Sequence, residues 1–357
     1  MMPRMAKVVL LGAGMMGSAL AVPMADRGHE VRLVGTHLDA RIVDRLREDG
    51  VHPKLGLPLP ARIKPFSHEE LAVAFEGADV VALGVSSAGI AWATERVAPH
   101  VRPGMPIVMI TKGLVHRDGR LVALPDVVRA GLPASVRDHV HPAAIAGPCI
   151  AGELARRVPT CVVVAGRDAA TNEHLAGLLS TPYYHLFPTT DVAGAETCAA
   201  LKNAYAMGIA FATGMHERAG GSAGSVAMHN LESAVFAQAV LEMRAIVAEL
   251  GGSADTASGL AGVGDLDVTT NGGRTGRFGR LLGLGLGRDD AVVAMEGATL
   301  ECLEILASMR EALDQGSVGG LRRADVPLLS HLVEVALEGR PVDVPLARFF
   351  RPIGEAR

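Results

Sequence analysis

Aromatic residues and cysteines are scarce in this chain, and each shortage excludes a class of protein. Aromatic residues make up only 3% of the 357 residues, so the chain has few side chains that could stack the bases of a single-stranded nucleic acid. The four cysteines, Cys149, Cys161, Cys198 and Cys302, show no CxxC spacing, which argues against a zinc ribbon or a redox dithiol. Isolated cysteines behave as small apolar residues in a reducing compartment, so we expect a cytoplasmic protein.

Blocks of one charge and metal-binding motifs are also missing. The formal net charge is −4, and no run of like charges occurs, which argues against a protein that binds nucleic-acid backbones. The thirteen histidines are scattered without an HExxH motif or a Cys/His cluster, so we predict no metal site. The sequence also lacks a GxSxG motif and the paired carboxylates of glycoside hydrolases.

What the chain has is length, apolar residues and glycine. With 357 residues, 49% of them hydrophobic and 20% charged, it is folded and long enough for about two domains. The 42 glycines indicate many tight turns and close helix contacts. This composition is typical of α/β enzymes.

The first apolar segment has two possible interpretations. Eighteen uncharged residues lie between Lys7 and Asp26, and with Arg4 before them they resemble a signal peptide or a short membrane span. The alternative is a strand at Lys7–Leu11, then a helix, then a second strand at Glu30–Val34. We favour this βαβ unit because the segment continues directly into the second strand, and we therefore expect no membrane span.

A GxGxxG motif joins the first strand to that helix. Gly12 permits the tight turn, Gly14 lets the backbone approach a pyrophosphate, and Gly17 lets the helix pack closely on the sheet. Met15 and Met16 begin the helix, whose free N–H groups and partial positive charge would face the phosphates. The segment therefore predicts a dinucleotide site.

The end of the second strand bears on which dinucleotide binds. NAD specificity usually depends on an acidic residue at this point, which binds the ribose hydroxyls. Here residues 33–37 are LVGTH, and Asp39 and Arg41 come only later. The missing acid permits the 2′-phosphate of NADP, which Arg41 could meet, although a solvated helix position explains Arg41 equally well. We predict NAD or NADP, with a slight preference for NADP.

Short apolar strands alternate with helical segments over the first half of the chain. Beyond the first two strands, we predict strands at Asp79–Val85, Pro106–Ile110, Ala143–Ala146, Thr160–Ala165 and Tyr183–Phe187. This alternation predicts a Rossmann-type α/β domain over residues 1–190, with a mainly parallel sheet and helices on both faces.

The second half of the chain has no convincing strand. Helices are predicted at Val192–Met215, Ala227–Leu250, Ala291–Leu313 and Val326–Glu338. We therefore predict an all-helical C-terminal domain over residues 191–357. Its apolar character is compatible with a homodimer.

One lysine stands in an unusually apolar helix. Lys202 is the only charged residue in the nineteen from Thr197 to Met215, and a helix that is apolar nearly all round is a buried one. A buried ammonium needs a partner, and Asp265, in an otherwise neutral stretch, is the obvious candidate. Lys202, with Asn203 beside it, either transfers protons or forms a structural ion pair.

The residues after Asp265 predict a phosphate site. Residues 272–277 (GGRTGR) combine flexible backbone with two guanidinium groups, the first of them Arg274. Arginine binds phosphate bidentately, and the hydroxyls of Thr269 and Thr275 can add donors. The alternative is a basic surface loop.

Three polar residues follow predicted strands of the first domain. Ser86 follows the strand at Asp79–Val85, Lys112 follows the next, and Glu153 follows the strand at Ala143–Ala146. Because ligands bind at the carboxyl ends of parallel strands, Ser86 and Glu153 are candidate cofactor contacts and Lys112 is a candidate substrate contact. Solvent exposure of Lys112 and helix capping by Glu153 are equally good explanations.

Together these motifs resemble the NAD(P)-dependent glycerol-3-phosphate dehydrogenase family. The matching segments are GAGMMG from Gly12, TKG from Thr111, GPCIAGE from Gly147, LKNAYAMG from Leu201, GVGDLDVTTNGGR from Gly262 and MEGATLE from Met295. Their order and approximate spacing hold from about residue 6 to residue 300. The KN and GDL…T…GGR blocks are far more specific than GxGxxG.

The resemblance implies that the protein interconverts sn-glycerol 3-phosphate and dihydroxyacetone phosphate. It implies that Lys202 is the catalytic acid/base and that Lys112 lines the site. It also implies that the remaining matched residues contact the substrate or support the lysine; these are Asn203, Asp265, Thr269 and Arg274. Arg274 and Glu296 are further expected near the cofactor, and Thr275 near the phosphate.

Two departures from the family pattern leave different functions open. Thr275 stands where the family has an asparagine, and residues 216–240 carry additional polar groups, namely His216, Glu217, Arg218, His229 and Glu232. These groups would suit a larger polyol or sugar phosphate. The sequence is also compatible with a ketopantoate or β-hydroxyacid reductase, with a carboxylate at the arginine site, and with a non-catalytic NADP(H) sensor.

Overall fold

The structure is a computed structural model that describes residues 5–222, 228–271 and 273–350. Within these residues the strands are β1 (Lys7–Leu11), β2 (Glu30–Val34), β3 (Val51–His52), β4 (Leu57–Pro58), β5 (Ile63–Phe66), β6 (Val80–Leu83), β7 (Ile107–Met109), β8 (Leu114–Arg117), β9 (Arg120–Ala123), β10 (Ala143–Ala146), β11 (Thr160–Gly166) and β12 (Tyr184–Thr189). Ala227 and Gly272, which belong to a predicted helix and to the predicted phosphate loop, lie outside the described residues.

The α-helices of the first half are α1 (Met15–Asp26), α2 (Ala40–Asp49), α3 (Leu71–Ala74), α4 (Ile90–Val97), α5 (Leu124–Gly131), α6 (Ala134–Arg137), α7 (Ala151–Ala155) and α8 (Ala169–Leu179). Those of the second half are α9 (Val192–Ile209), α10 (Phe211–Arg218), α11 (His229–Glu249), α12 (Ala254–Ser258), α13 (Asp265–Thr270), α14 (Arg274–Gly283), α15 (Arg288–Ala294), α16 (Glu301–Asp314), α17 (Pro327–Ala336) and α18 (Leu346–Phe349). A π-helical turn, Leu260–Gly264, lies between α12 and α13.

The described residues form two compact units. The first contains the residues up to Lys112 together with Ala123–Val192. The second contains Gly113–Val122 and the residues from Ala193 onward. The hairpin of β8 and β9 forms a two-stranded sheet of its own. Except for Ala123, its last residue, the hairpin belongs to the helical unit.

The first unit is built on a sheet whose strand order within the described residues is β12-β11-β10-β7-β6-β1-β2-β5. The neighbouring strands pair in parallel, except that β10 and β11 are antiparallel. This confirms the prediction of a mainly parallel Rossmann-type sheet. The order reverses between β1 and β6, and such a switch point opens a ligand crevice at the carboxyl ends of the strands.

The N-terminal apolar segment forms the centre of this unit. Residues 8–11 of β1 and residues 17–25 of α1 are buried. A central parallel strand and its covering helix are enclosed by other elements, which explains why the segment is continuously apolar rather than alternating. The strand–helix interpretation is therefore confirmed, and none of the described helices is long and apolar enough to cross a membrane.

Apart from its hairpin, the second unit is helical in the residues described, but two predicted helices are wrong in their continuity. The predicted helix Val192–Met215 is divided between α9 and α10, where the Gly214 N–H lies 3.5 Å from the Ala210 carbonyl, a stretched helical bond. The predicted helix Ala291–Leu313 is interrupted after α15. Glu296 and Gly297 there have φ angles of 52° and 76°, which a right-handed helix does not contain.

Candidate functional site

The glycine motif lies at the switch point of the sheet. The Gly12 N–H donates to the Val34 carbonyl over 2.8 Å, which ties the loop to β2. Gly12 has a φ of +114°, and a Cβ on it would lie 2.6 Å from the Gly84 carbonyl after β6. A Cβ on Gly17 would lie 2.1 Å from the Gly12 carbonyl oxygen. Both positions therefore require glycine, because the loop, α1 and the end of β6 approach one another so closely.

The N-terminus of α1 fits the pyrophosphate of a dinucleotide. Gly14 is the N-cap, and a Cβ on it would meet nothing within 4 Å, so the backbone is open on that side. Within the part of the chain that the structure describes, no side chain caps α1. The first-turn N–H groups, including those of Met15 and Met16, therefore point to a place where phosphate oxygens can accept from them.

The other predicted cofactor residues are exposed at the ends of elements. Ser86 is the N-cap of the short 3₁₀ turn that follows β6, two residues from Gly84. Arg41 and Glu153 lie in the first turns of α2 and α7. Glu296 lies in the turn between α15 and α16. The structure thus brings Ser86 to the crevice and leaves the roles of Arg41, Glu153 and Glu296 as predictions.

One acidic residue near the crevice has a contact that the sequence analysis missed. Asp39 is the N-cap of α2, and its Oδ2 accepts from the Thr36 N–H and hydroxyl, each over 2.8 Å, and from the Ala13 N–H over 3.2 Å. The Thr36-x-x-Asp39 spacing is a signal for the local turn. Nothing in the spacing could have revealed the long-range bond to the glycine loop.

In the helical unit the predicted lysine and aspartate meet. Lys202 on α9 and Asp265 at the start of α13 form an ion pair between Nζ and Oδ1. Their side chains are only 13% and 2% exposed. Thr269 supports the turn by donating its hydroxyl to the Asp265 main-chain carbonyl over 2.6 Å. Separating the two partners would leave a buried charge without its counter-charge, which is costly. The ion pair therefore holds the lysine ammonium in one position.

A π-helical turn places Asp265 opposite the lysine. The Gly264 N–H donates to the Gly259 carbonyl over 3.2 Å, which is the wide spacing of such a turn. Within the turn, a Cβ on Gly262 would lie only 1.9 Å from the Ala257 carbonyl oxygen. Gly262 therefore allows the turn to pack on α12, and this packing sets where α13 begins.

We expect Gly262→Ala to lower kcat by at least about tenfold, because the added methyl group forces the turn and Asp265 away from Lys202. The matched control is Gly259→Ala at the N-cap of the same turn, where a Cβ would meet nothing closer than 3.6 Å. Steady-state kinetics on both variants checks this prediction. Equal losses in the two would contradict it.

The predicted phosphate residues lie at the start of α14. Arg274 is 54% exposed, and its guanidinium donates to Glu301 at the start of α16 over 2.9 Å. Thr275 is 5% exposed, so its side chain is enclosed by the helical packing. Asn203 lies half-buried beside Lys202 on α9, and Lys112 lies half-buried in the first unit, after β7. Arg274 is thus the accessible cation of this group.

The additional polar groups of residues 216–240 have contacts within the helical unit. Glu217 on α10 accepts two hydrogen bonds from Arg280 on α14, over 2.8 and 2.6 Å. Glu232 accepts from the Thr213 hydroxyl and contacts His229, each over 3.0 Å. These contacts account for Glu217, His229 and Glu232 without a ligand.

The described residues contain no disulfide, and Cys149, Cys161, Cys198 and Cys302 are all thiols. Over residues 5–222, 228–271 and 273–350, no group of three His, Cys, Asp or Glu side chains is arranged to hold a metal ion.

Comparison with known proteins gives one consistent result. The family models for the N-terminus and the C-terminus of NAD-dependent glycerol-3-phosphate dehydrogenase match residues 7–172 and 191–346. The NADP(+)-dependent glycerol-3-phosphate dehydrogenase of Archaeoglobus fulgidus is 36% identical over 336 residues, which cover 94% of this chain and 96% of that protein. The glycerol-3-phosphate dehydrogenase [NAD(P)+] of Agrobacterium fabrum is 34% identical, with 86% and 89% covered.

Solved structures agree with the sequence matches. The crystal structure of glycerol-3-phosphate dehydrogenase from Coxiella burnetii has a TM-score of 0.77 at 28% identity, and the match covers 94% of this chain and 96% of that one. The Plasmodium falciparum glycerol-3-phosphate dehydrogenase, at 18% identity and a TM-score of 0.81 over 99% of this chain and 97% of that one, shares the fold. The chain therefore belongs to the NAD-dependent glycerol-3-phosphate dehydrogenase family, whose members are NAD(P)-dependent oxidoreductases that act on a CH–OH group.

Proposed function

We propose that this protein interconverts sn-glycerol 3-phosphate and dihydroxyacetone phosphate, with NADP or NAD as the redox partner. The observation that supports this most directly is the buried ion pair of Lys202 and Asp265. A lysine held in this way suits proton transfer at a carbinol oxygen. The activities named for the relatives support the choice of substrate.

The residues of this chain move the proton and orient the substrate, while the dinucleotide supplies or accepts the hydride when it is bound. Lys202 donates a proton to the ketone oxygen during reduction and removes the hydroxyl proton during oxidation. As a cation it also stabilises the negative charge that develops on this oxygen. Asp265 fixes the position of the ammonium through their ion pair.

Roles are also proposed for the remaining predicted residues of each unit. Arg274 binds the phosphate, so that binding energy from a remote group orients the reacting carbon. Further substrate contacts are proposed for Lys112, Asn203 and Thr269, and the enclosed side chain of Thr275 is not one of them. Dinucleotide contacts are proposed for Gly12, Gly14, Met15, Met16, Gly17, Arg41, Ser86, Glu153, Arg274 and Glu296.

We expect Arg274→Ala to raise KM for the phosphate-bearing substrate by about tenfold or more, because a charge-assisted bond to the phosphate is lost. Turnover of unphosphorylated dihydroxyacetone should hardly change. The matched control is Arg277→Ala on the same helix, where the guanidinium donates to the Ala294 carbonyl over 2.9 Å. If Arg274→Ala affects both substrates equally, the phosphate assignment is wrong.

The proposed cofactor preference is for NADP. Asp39 directs its Oδ2 toward Thr36 and the Ala13 N–H, and Arg41 is exposed in the first turn of α2. An exposed guanidinium a few residues after the end of β2 suits a 2′-phosphate. The named cofactor of the Archaeoglobus fulgidus relative agrees with this preference.

We further propose a cytoplasmic location and a homodimer. The four cysteines are thiols and form no disulfide among the described residues, which suits a reducing compartment. Val293 on α15 is 77% exposed beside Val292, which is itself exposed, and such apolar residues favour association. Cell fractionation and analytical ultracentrifugation test these two proposals.

The function is tested by steady-state turnover of a substrate panel with NADPH, NADH and their oxidised forms. The panel contains dihydroxyacetone phosphate, glycerol 3-phosphate, longer polyol phosphates and ketopantoate. We expect the highest kcat/KM for the dihydroxyacetone phosphate and glycerol 3-phosphate pair. A longer polyol phosphate or a ketoacid that is turned over faster would overturn the proposal, as would cofactor binding without any turnover.

A further inference from the structure

The main-chain N–H and the main-chain carbonyl of Ala13, in the glycine motif, are both held by groups from outside the motif's own turn. Its N–H donates to Asp39 Oδ2 over 3.2 Å. Its carbonyl oxygen accepts from the His52 Nε2–H over 3.0 Å and from the Ser18 hydroxyl over 3.1 Å. Ala13 lies between Gly12 and Gly14, in the loop whose backbone would approach the pyrophosphate. We call His52, Asp39 and Ser18 the Ala13 clamp.

The tautomer of His52 follows from its other contacts. Its Nδ1 faces the Lys54 and Leu55 N–H groups over 3.2 and 3.1 Å, so Nδ1 is the acceptor and the proton resides on Nε2. The side chain is fully buried. His52 in its neutral form therefore uses both ring nitrogens, one to fix its own loop and one to hold Ala13.

His52 and Asp39 reach the glycine motif from separate elements. His52 ends β3, and Asp39 precedes α2, so neither belongs to the β1–α1 segment that contains the motif. Flanking glycines restrict the Ala13 backbone only weakly. A loop ordered before the ligand arrives loses less conformational entropy on binding, and this raises affinity.

We propose that His52, together with Asp39 and Ser18, is a positioning residue of the dinucleotide site that holds the Ala13 backbone in the conformation needed for pyrophosphate binding. This inference rests on the proposed dinucleotide site at the N-terminus of α1. It assigns a role in cofactor affinity to His52, which lies 35 residues after Gly17 in the chain and outside every motif discussed above.

The geometry also makes the clamp sensitive to pH. Burial lowers the pKa of His52 below its usual 6.5, the nearby Lys54 lowers it further, and hydrogen bonding and Asp39 partly oppose this. Arg156, which donates to the Leu55 carbonyl over 3.1 Å, is a further cation beside this loop. If Nδ1 were protonated, its hydrogen would point at the N–H groups of Lys54 and Leu55, and the ring could not keep this position. The clamp is therefore intact at neutral pH and is lost as the pH falls below the lowered pKa of His52.

The test is the dissociation constant of NADPH, measured by titration calorimetry on the full chain from about pH 7.5 to about pH 5.5. We expect His52→Leu to weaken binding by about tenfold at neutral pH, through the loss of one buried hydrogen bond. His52→Gln keeps an N–H donor and should recover most of the affinity. The KM for NADPH should rise in His52→Leu more than kcat falls at saturating NADPH.

The pH profile separates positioning from general stability. As the pH decreases, the NADPH affinity of the unaltered protein should fall relative to that of His52→Gln. The NADPH 2′-phosphate titrates at about pH 6 in both measurements, so its effect cancels in the ratio of the two affinities. The matched control is His29→Gln. His29 is also buried, but it accepts from the Ala6 N–H and bonds the Leu178 carbonyl, away from the motif. Its substitution should leave the dissociation constant unchanged.

Either of two results would overturn the inference. One is an unchanged NADPH affinity in His52→Leu, and the other is the same pH profile in His52→Gln as in the unaltered protein. If His52→Leu does not fold, Ser18→Ala removes the second donor to the same carbonyl with a smaller change, and unaltered affinity there would count equally against the clamp. If the unaltered protein binds neither NADPH nor NADH, the proposed function fails together with the inference.

Discussion

Replacing Lys202 with arginine is expected to lower kcat by at least about 10²-fold, the usual scale for loss of a general acid/base. A guanidinium can still pair with Asp265, but it stays protonated and cannot remove the hydroxyl proton. The affinity for NADPH and the unfolding midpoint should change little. Kinetics and calorimetry on the same preparation measure these quantities together.

Lys202→Met is the harsher variant and should also destabilise the protein. It leaves the Asp265 carboxylate, which is 2% exposed, without its ion-pair partner, and breaking a buried pair costs about 3–5 kcal/mol. The arginine variant therefore separates catalysis from stability. Near-normal turnover in Lys202→Arg would remove this residue from proton transfer.

The aspartate has its own matched control. Asp265→Asn should lower kcat, because an amide no longer pairs with the Lys202 ammonium. Asp267→Asn, two residues further along α13 and exposed, removes the same charge without touching the lysine. If the two variants are equally impaired, the loss reflects the charge of the helix and not the ion pair.

A large effect on stability is also expected from a residue outside the site. Glu242 on α11 is 2% exposed, and its carboxylate accepts hydrogen bonds from Gln238, from the Tyr205 hydroxyl and from the N–H groups of Leu328 and Leu329, over 2.7 to 3.0 Å. The last two N–H groups belong to the first turn of α17. One side chain thus caps α17 and joins it to α9 and α11, while burial raises the pKa of this carboxyl.

We expect Glu242→Leu to lower the free energy of unfolding by about 3–5 kcal/mol, because four donors are left buried without an acceptor. Denaturant unfolding with a constant slope would measure the change. The matched control is Glu249→Leu on the same helix. Glu249 is exposed and accepts from the Gly320 N–H over 2.9 Å, so its loss should cost less than about 1 kcal/mol. Similar values for the two variants would show that Glu242 is not the cap.

The sequence predicted the parts of the fold that continuous apolar runs define. β1 and β2 match their predicted bounds, because buried aliphatic residues mark both strands and a glycine directly follows each, Gly12 after β1 and Gly35 after β2. The short strands β3 and β4 and the edge strand β5, which contains Pro65, were missed. Strands of two to four residues are too short for a periodic pattern, and their pairing depends on tertiary neighbours.

Part of the candidate site could also be predicted from a local pattern in the sequence. A lone charge in an apolar helix must find a counter-charge, so the contact between Lys202 and Asp265 could be anticipated. The pairing of Arg274 with Glu301, and the bond from His52 to the Ala13 carbonyl, join residues far apart in the chain. No local spacing encodes such contacts, and they become visible only once the elements are packed.

The most direct test of the central claim follows the hydride itself. The protein is incubated with dihydroxyacetone phosphate and NADPH that carries deuterium at both hydrogen positions of nicotinamide C4, so that either face transfers label, and the product is examined by mass spectrometry and NMR. We predict glycerol 3-phosphate with deuterium on its C2 carbon, and a rate of formation at least about 10²-fold lower in Lys202→Arg. Product without deuterium at C2, or an undiminished rate in Lys202→Arg, would contradict the account.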